Sequence, residues 1–151
     1  MKRLIFRLTF FFLICIYSFL DAQNIITEYE IVKNDIDAKS ITTSQNYFFA
    51  SSYSIATAIE DTDIESNKMI ANAKFLDHLS TLVDWPVQIN SDLKLALWNF
   101  YINQKKFTFK KSQIVDNGKL GEYYYVVVGI PKSELLEVAI TYSQLINLIK
   151  K

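Results

Sequence analysis

The chain has 151 residues, of which 16 are Lys or Arg and 16 are Asp or Glu, with a single cysteine and three glycines. The length that remains without the first 22 residues, about 129, suits one domain that buries roughly two-thirds of its unfolded surface. The balanced charge leaves no basic excess to neutralise phosphates, so the composition argues against a nucleic-acid partner.

Residues 1–22 have the pattern of a secretory signal peptide. Three basic residues precede an apolar run over residues 8–20, and Ala22 offers a small residue at the cleavage point. The basic residues are Lys2, Arg3 and Arg7. We therefore predict an exported protein, periplasmic or extracellular, whose mature chain begins at Gln23. The alternative is an uncleaved anchor, although the run is short for a span of about 20 residues.

Cleavage would change the chemistry that is available to the chain. The mature part has no cysteine and no arginine, and its 13 Lys against 15 Asp and Glu give a formal charge of −2. It can form no disulfide, and it has no guanidinium for bidentate phosphate or base contacts. Lipoprotein processing at Cys15 is disfavoured, because Ile14 precedes that cysteine and the apolar run continues beyond it.

Residues 23–46 form an N-terminal strand and linker in this interpretation. Residues 25–33 alternate in a way that suits a half-buried strand, and residues 34–46 are polar and typical of a linker or long loop. Residues 47–59 again predict a strand, with one face large and the other almost entirely small. The small face would let a helix approach the sheet closely; a ligand groove is the other use for such a face.

A helix is predicted over residues 62–83. Acidic residues suit its positive end, Thr62 and Glu65 would permit a capping box, and Pro86 follows the stop. The apolar stripe consists of Ile64, Ala71, Phe75, Leu79 and Leu82, with Leu76 and Val83 at its border.

Two features of this helix raise the question of a site. His78 is the only histidine, and with no second histidine or cysteine to share a metal, we interpret it as a surface residue. Asp61, Asp63 and Glu65 lack the further ligands and turn glycine of a calcium loop, so we assign them to the helix N-terminus.

Residues 91–103 are ambiguous between a short helix, which we favour, and a strand. Ser91 or Asp92 would cap the helix, and its two apolar sides would be sandwiched or would meet a partner. A last helix is predicted over residues 133–150, with Ser133 as its N-cap. Its stripe consists of Leu135, Val138, Ala139, Tyr142, Leu145, Ile146 and Ile149.

The strongest local signal is a β-hairpin around Asn117 and Gly118, flanked by runs rich in β-branched and aromatic residues. Strands over 106–115 and 121–130 follow from it. The predicted core face carries Phe107, Phe109, Val115, Leu120, Tyr124, Val126 and Val128. The other, wetter face carries Thr108, Lys110, Ser112, Tyr123, Tyr125 and Val127.

The order of these elements suggests a family. A strand of small and aromatic residues leads into the helix DIESNKMIANAKFLDHLSTLV, and a later strand reads GEYYYVVVGIPKSEL. Over about residues 47–140 this resembles the LPP20-like domain of bacterial envelope lipoproteins and its relative in the flagellar assembly protein FlgT. Those domains have an A-x-x-x-A helix and a strand reading roughly YYVLVxVPxxxL. This chain departs from them in lacking a well-placed lipid-bearing cysteine and in carrying only Ala71 and Ala73 on the helix.

The resemblance implies an envelope structural or interaction domain without known catalysis, and it supplies no catalytic residue. From the pattern we predict a single α+β domain over 47–151, with a small antiparallel sheet of three to four strands and two main helices on one face. We expect a non-enzymatic envelope protein that binds a protein or another envelope component, without cofactor or metal, and that meets the membrane only through its signal segment before cleavage. The alternatives are an inhibitor or immunity-type binder and a small hydrolase or ligand carrier.

The candidate binding residues are Tyr123, Tyr125 and Lys110. In the predicted hairpin both tyrosines project from the open, non-core face of the sheet, with Lys110 and Thr108 as cross-strand neighbours. Tyrosine offers broad apolar contact with a polar tip, which suits a binding surface. The competing interpretation is that tyrosine simply favours strands, with Lys110 lying over a ring.

Overall fold

The computed structural model describes residues 22–85, 90–105 and 109–149, apart from the side chains of 100–105 and 147–149. Four helices and four strands make up this part of the chain. The helices are α1 (residues 22–32, followed by a 3-10 turn at Lys33–Asp35), α2 (Glu60–Leu82), α3 (Ser91–Lys105) and α4 (Lys132–Ile149). The strands are β1 (Ile41–Thr43), β2 (Tyr47–Ile55), β3 (Gln113–Leu120) and β4 (Tyr123–Pro131).

The strands form one antiparallel sheet in the order β1-β2-β4-β3. Helices pack against this sheet, so the predicted α+β class is confirmed. None of the helices in the described ranges is both long and apolar enough to cross a bilayer. The predicted signal segment, residues 1–22, lies outside the described residues except for Ala22.

Helices α2 and α4 cover one face of the sheet and enclose the main core. Helix α2 packs on the small face of β2. Ala50 of β2 and Ala71 of α2 are both fully buried in this core. This agrees with the close helix approach that the small face predicts. The other large members of this core are Phe48, Phe75, Leu79, Trp98, Phe109, Tyr124, Val126, Val128, Ile130, Leu135, Tyr142 and Ile146.

Helix α1 covers part of the opposite face, and the strand predicted over residues 25–33 is therefore wrong. Ile25, Tyr29 and Val32 are buried against Phe49 and Val127. Their spacing of four and then three residues is that of one helix face. The same residues also fit an alternating pattern in part, so periodicity alone did not separate the two forms.

The hairpin turn lies four residues later than predicted. It consists of Gly121 and Glu122, and Gly121 has φ +64°, which suits the first central position of a primed turn. Gly118, in contrast, is an interior residue of β3 opposite Tyr125.

The shifted turn changes the faces of β3 but not those of β4. Tyr124, Val126 and Val128 point to the main core as predicted, whereas Leu120 is exposed and a bulge between Ile114 and Asp116 turns Val115 to the α1 side. Of the predicted strand over 106–115, residues 113–115 belong to β3, 109–112 form a turn instead, and 106–108 lie outside the described residues.

Three smaller expectations also have outcomes. The favoured helix over 91–103 is confirmed, although Asn90 caps it by accepting the Leu93 amide (2.9 Å). The predicted linker contains strand β1, which pairs with β2. Helix α2 begins at Glu60 after the N-cap position Ile59, so the capping box at Thr62 is wrong.

Candidate binding surface

The end of the sheet beside the β3–β4 turn carries a group of apolar residues, all exposed except Tyr125, which is half-buried. They come from three adjacent strands and are Tyr53, Ile55, Leu120, Tyr123 and Tyr125, which we call the tyrosine patch. Two cross-strand rows build it. Ile55, Tyr123 and Leu120 form the outer row, and Tyr53, Tyr125 and Gly118 form the inner one. Because both rows contain alternate residues of each strand, their side chains share one face of the sheet.

The outer row is open to solvent. Ile55 is 72% exposed, Leu120 66% and Tyr123 51%, while Tyr53 in the inner row is 42% exposed. This face belongs to the side that α1 covers, but α1 and its 3-10 turn end at Asp35, and the next residues lead away to β1. The helix therefore shields the middle of the face and leaves the hairpin end bare.

The inner row is more tightly held. The rings of Tyr53 and Tyr125 pack with their centroids 6.1 Å apart. Tyr29 of α1 donates a hydrogen bond to the carboxylate of Asp116, and the Tyr125 hydroxyl lies 3.4 Å from the same carboxylate. Burial, reinforced by Asp116, raises the pKa of both Tyr29 and Tyr125 above the usual tyrosine range. These hydroxyls therefore stay protonated and act as hydrogen-bond donors.

A groove of about 280 Å³ runs between the end of α1 and the inner row. Its lining includes Lys33 and Ile36 from the α1 side and Tyr53, Leu120 and Tyr125 from the sheet. The tyrosine patch thus combines an apolar outer row with a groove whose lining includes Asp116.

Of the three predicted binding residues, Tyr123 and Tyr125 lie in the tyrosine patch and Lys110 does not. Tyr123 and Tyr125 do lie on one face, but the opposite partners of these residues are Leu120 and Gly118, so the expected cross-strand neighbours Lys110 and Thr108 are wrong. Lys110 precedes β3, whose first residue pairs with Gly129 near the far end of β4. Nor is the whole face open, because α1 covers its middle.

Lys110 belongs instead to a separate concave surface, the lysine cavity, of about 450 Å³. Its lining residues are Gln45, Asn46, Tyr47, Lys110, Lys111, Gln113, Pro131, Lys132 and Ser133. The β1–β2 connection, the segment before β3 and the start of α4 each contribute to it. No single stretch of sequence signals this site.

His78 and Asp63, which the sequence analysis considered as possible site residues, both make contacts within the fold. His78 is half-buried and packs edge-on against Phe48, with ring centroids 5.0 Å apart. Asp63 is buried and accepts the Thr57 amide (2.8 Å), so it anchors the chain that precedes α2. Within the described ranges, no three His, Cys, Asp or Glu residues come together in a way that would hold a metal.

A buried polar network, unforeseen in the sequence, joins α2 to the sheet. Asn67 is fully buried, and its Nδ2 donates to Ser54 Oγ (2.7 Å) and to the Asp63 carbonyl (2.9 Å). Ser52 donates to the Asn67 carbonyl (2.6 Å). The spacing Asn67–Ala71–Phe75 places the amide on the buried line of the helix, which is the signal that could have revealed it.

Comparisons with family models, curated proteins and solved structures gave no match to this chain. The resemblance to the LPP20-like domain therefore stays a prediction.

Proposed function

We propose that this protein is an exported, non-enzymatic interaction domain of the cell envelope that binds a partner protein through the tyrosine patch. The observation that supports it is the outer cross-strand row of Ile55, Tyr123 and Leu120, three large apolar side chains that are each more than half exposed. Contiguous exposed apolar side chains on a soluble domain are a feature of interaction surfaces.

The chemistry of the patch favours a protein over a polysaccharide. Its two most exposed members, Ile55 and Leu120, are aliphatic, and aliphatic side chains gain most from apolar partner surface. The tyrosines add broad, rather rigid contact area with a polar tip, which is common at the centre of protein interfaces.

The mode of binding should be through side chains rather than strand addition. β3 is an edge strand, which is the usual template for an added strand. Here it is interrupted by the bulge near Val115 and carries Lys119 close to its end. Bulges and edge lysines are devices that discourage pairing with another chain.

Capture with a matched pair of variants tests this function. The tagged protein is exported in its native host, and envelope proteins bound to it are identified by mass spectrometry. Ile55→Ser with Tyr123→Ser should weaken capture by about thirtyfold or more, the size expected when hot-spot residues are lost. Its control is Met69→Ser with Ile140→Ser, which removes two exposed apolar side chains from the outer sides of α2 and α4.

Both double variants change exposed residues, so each should keep the wild-type unfolding free energy within about 0.5 kcal/mol per site. Equal capture by the wild type and the patch variant would contradict the proposal. A patch that only joins two copies of this chain would show as capture of the protein itself, and that result would also count against a partner of another kind.

A further inference from the structure

The lysine cavity presents positive charge that the fold does not neutralise with ion pairs. It gathers Lys110 and Lys111 from the segment before β3 and Lys132 from the start of α4. Within the described residues, no carboxylate lies within 4 Å of these three ammonium groups. The ion pair that the described residues do form, Lys33–Glu30, lies at the end of α1. The Lys132 ammonium lies 5.4 Å from the centroid of the Phe48 ring.

Two carboxylates lie near the cavity, and both are engaged by hydrogen bonds. Glu134 accepts the backbone amides of Lys110 (2.8 Å) and Lys111 (3.1 Å). Glu28 accepts the Asn46 backbone amide (2.8 Å) and its side-chain amide (2.7 Å), and it also interacts electrostatically with Lys132. With three lysines against these two acids, the local formal charge is positive.

The neutral groups at the cavity favour an anion as well. Helix α4 begins at Lys132, and the first turn of an 18-residue helix carries the positive end of its dipole. Ser133, Gln45 and Gln113 line the same space, and hydroxyl and side-chain amide groups can donate hydrogen bonds to a phosphate.

The position of α1 shows which end of the domain this cavity occupies. Ile25 packs on Gly129, where an added Cβ would lie 2.7 Å from Ile25 Cδ1, and Gly129 pairs with Gln113 of the cavity. Tyr29, one turn later, contacts Asp116 further along the sheet. The chain therefore enters α1 at the lysine end and runs toward the tyrosine patch.

The apolar run over residues 8–20 precedes this entry point directly in the sequence. Only one residue separates the end of this run from Ala22, the first described residue of α1. A membrane that receives the run would then adjoin the lysine end of the domain, and the tyrosine patch at the opposite end would face away from it.

We propose that the lysine cavity binds the phosphate of an anionic phospholipid headgroup on the membrane that the N-terminal apolar run enters during export, and that this contact continues after the predicted cleavage. This adds a second membrane contact to the one predicted from the sequence, and it does not depend on the function proposed for the tyrosine patch. A free phosphate ester shares the headgroup's chemistry, so the test must separate the two.

Vesicle binding provides that test, with the protein purified in the form that its host exports. Binding to phosphatidylcholine vesicles is compared with binding to vesicles that also contain phosphatidylglycerol. The test variant is Lys110→Gln, Lys111→Gln and Lys132→Gln together, and the control variant is Lys39→Gln, Lys68→Gln and Lys119→Gln, which removes the same charge elsewhere.

The anionic vesicles should bind the wild type and the control equally. The cavity variant should bind them about fivefold more weakly per lysine, or on the order of a hundredfold in total. High salt should remove most of that difference, and neutral vesicles should not distinguish the three proteins. Equal losses in both variants would overturn the proposal, and displacement of the protein by soluble glycerol phosphate would assign the site to a free phosphate ester instead.

A measurement on the wild type alone guards against misfolding of the triple variant. Lysine acetylation followed by mass spectrometry should show Lys110, Lys111 and Lys132 protected several-fold by anionic vesicles, with Lys68 and Lys119 unaffected. Uniform protection, or none, would contradict a headgroup site at this end.

Discussion

Replacement of Asn67 by leucine tests whether the buried polar network holds α2 on the sheet. The side chain is fully buried, and its Nδ2 donates to Ser54, to the Asp63 carbonyl and, at 3.4 Å, to the Tyr124 carbonyl. Leucine has a similar size but can neither donate nor accept. The substitution therefore removes these hydrogen bonds from buried and partly buried partners while disturbing the packing little.

The magnitude follows from those partners. A buried polar group left without its hydrogen bond costs about 1–3 kcal/mol, and the Ser54 hydroxyl and the Asp63 carbonyl are the two most directly affected. Since the Asp63 carbonyl also has its place in the helix ladder, we expect a total loss of about 2–4 kcal/mol in unfolding free energy.

Urea unfolding measures this loss. The midpoint for Asn67→Leu should fall by roughly 1–2 M with an unchanged slope. Asn72→Leu on the same helix is the matched control, because the Oδ1 atom of Asn72 is buried and has no hydrogen-bond partner among the described residues. Leucine there removes an unsatisfied group, so its cost should stay below about 1 kcal/mol. Equal losses at both positions would refute the role assigned to the network.

Three further predictions concern the turn, the α1 interface and acid stability. Gly121→Val should cost about 1–2 kcal/mol of unfolding free energy, because a β-branched residue is strained at φ +64°, and thermal melting would measure it. Gly129→Ala should cost about 1–3 kcal/mol in urea unfolding, because its Cβ would lie 2.7 Å from Ile25 Cδ1 of α1 and 2.8 Å from the buried Phe49 ring. For Glu28, burial acts to raise the pKa, but hydrogen bonds from Asn46 and Ser44 and the charge of Lys132 outweigh it, so the pKa falls below its ordinary 4.5. The stabilisation by Glu28 is therefore present above pH 4.5 and lost as the pH falls through the lowered pKa, and Glu28→Gln should flatten the acid limb of the curve of unfolding free energy against pH.

Each of these has a clear opposite result. Asparagine tolerates positive φ, so Gly121→Asn should be milder than Gly121→Val, and equal effects would mean that φ is not the cause. A neutral Gly129→Ala would show that α1 does not pack closely there. If the unfolding free energy of Glu28→Gln falls with acid as steeply as that of the wild type, Glu28 is not the cause of the acid dependence.

Much of the fold is encoded in local pattern, because burial of one face imposes a period that a single strand or helix displays. The assignment of β4 is an example: Tyr124, Val126 and Val128 reach the main core as their alternation predicts. The line of Ala71, Phe75 and Leu79 on α2 is another.

The hairpin shows why a turn signal that is strong in the local sequence need not mark the turn of the folded chain. Asn117-Gly118 favours a turn, but Gly121-Glu122 offers a second glycine for positive φ, and the later turn lets β3 pair along nearly all of β4. It also lets the Asn117 side chain accept a hydrogen bond from the Tyr124 hydroxyl (2.8 Å). Such pairings are tertiary and have no counterpart in the local pattern.

The candidate sites were predictable only in part. Tyr123 and Tyr125 follow from alternation along one strand, but Tyr53 and Ile55 join them because β2 lies beside β4. The lysine cavity likewise depends on three separated segments that meet at one end of the sheet. Strand order and helix placement were needed before either surface could be drawn.

Site-specific photo-crosslinking in the native host tests the central claim most directly. A photoreactive phenylalanine analogue replaces Tyr123 in the tyrosine patch, and a matched protein carries it at Met69, which is 72% exposed on α2. If the patch binds a partner protein, position 123 should give a cross-linked species of one discrete mass, and position 69 should not. No cross-link from position 123, or the same products from both positions, would contradict the proposed function.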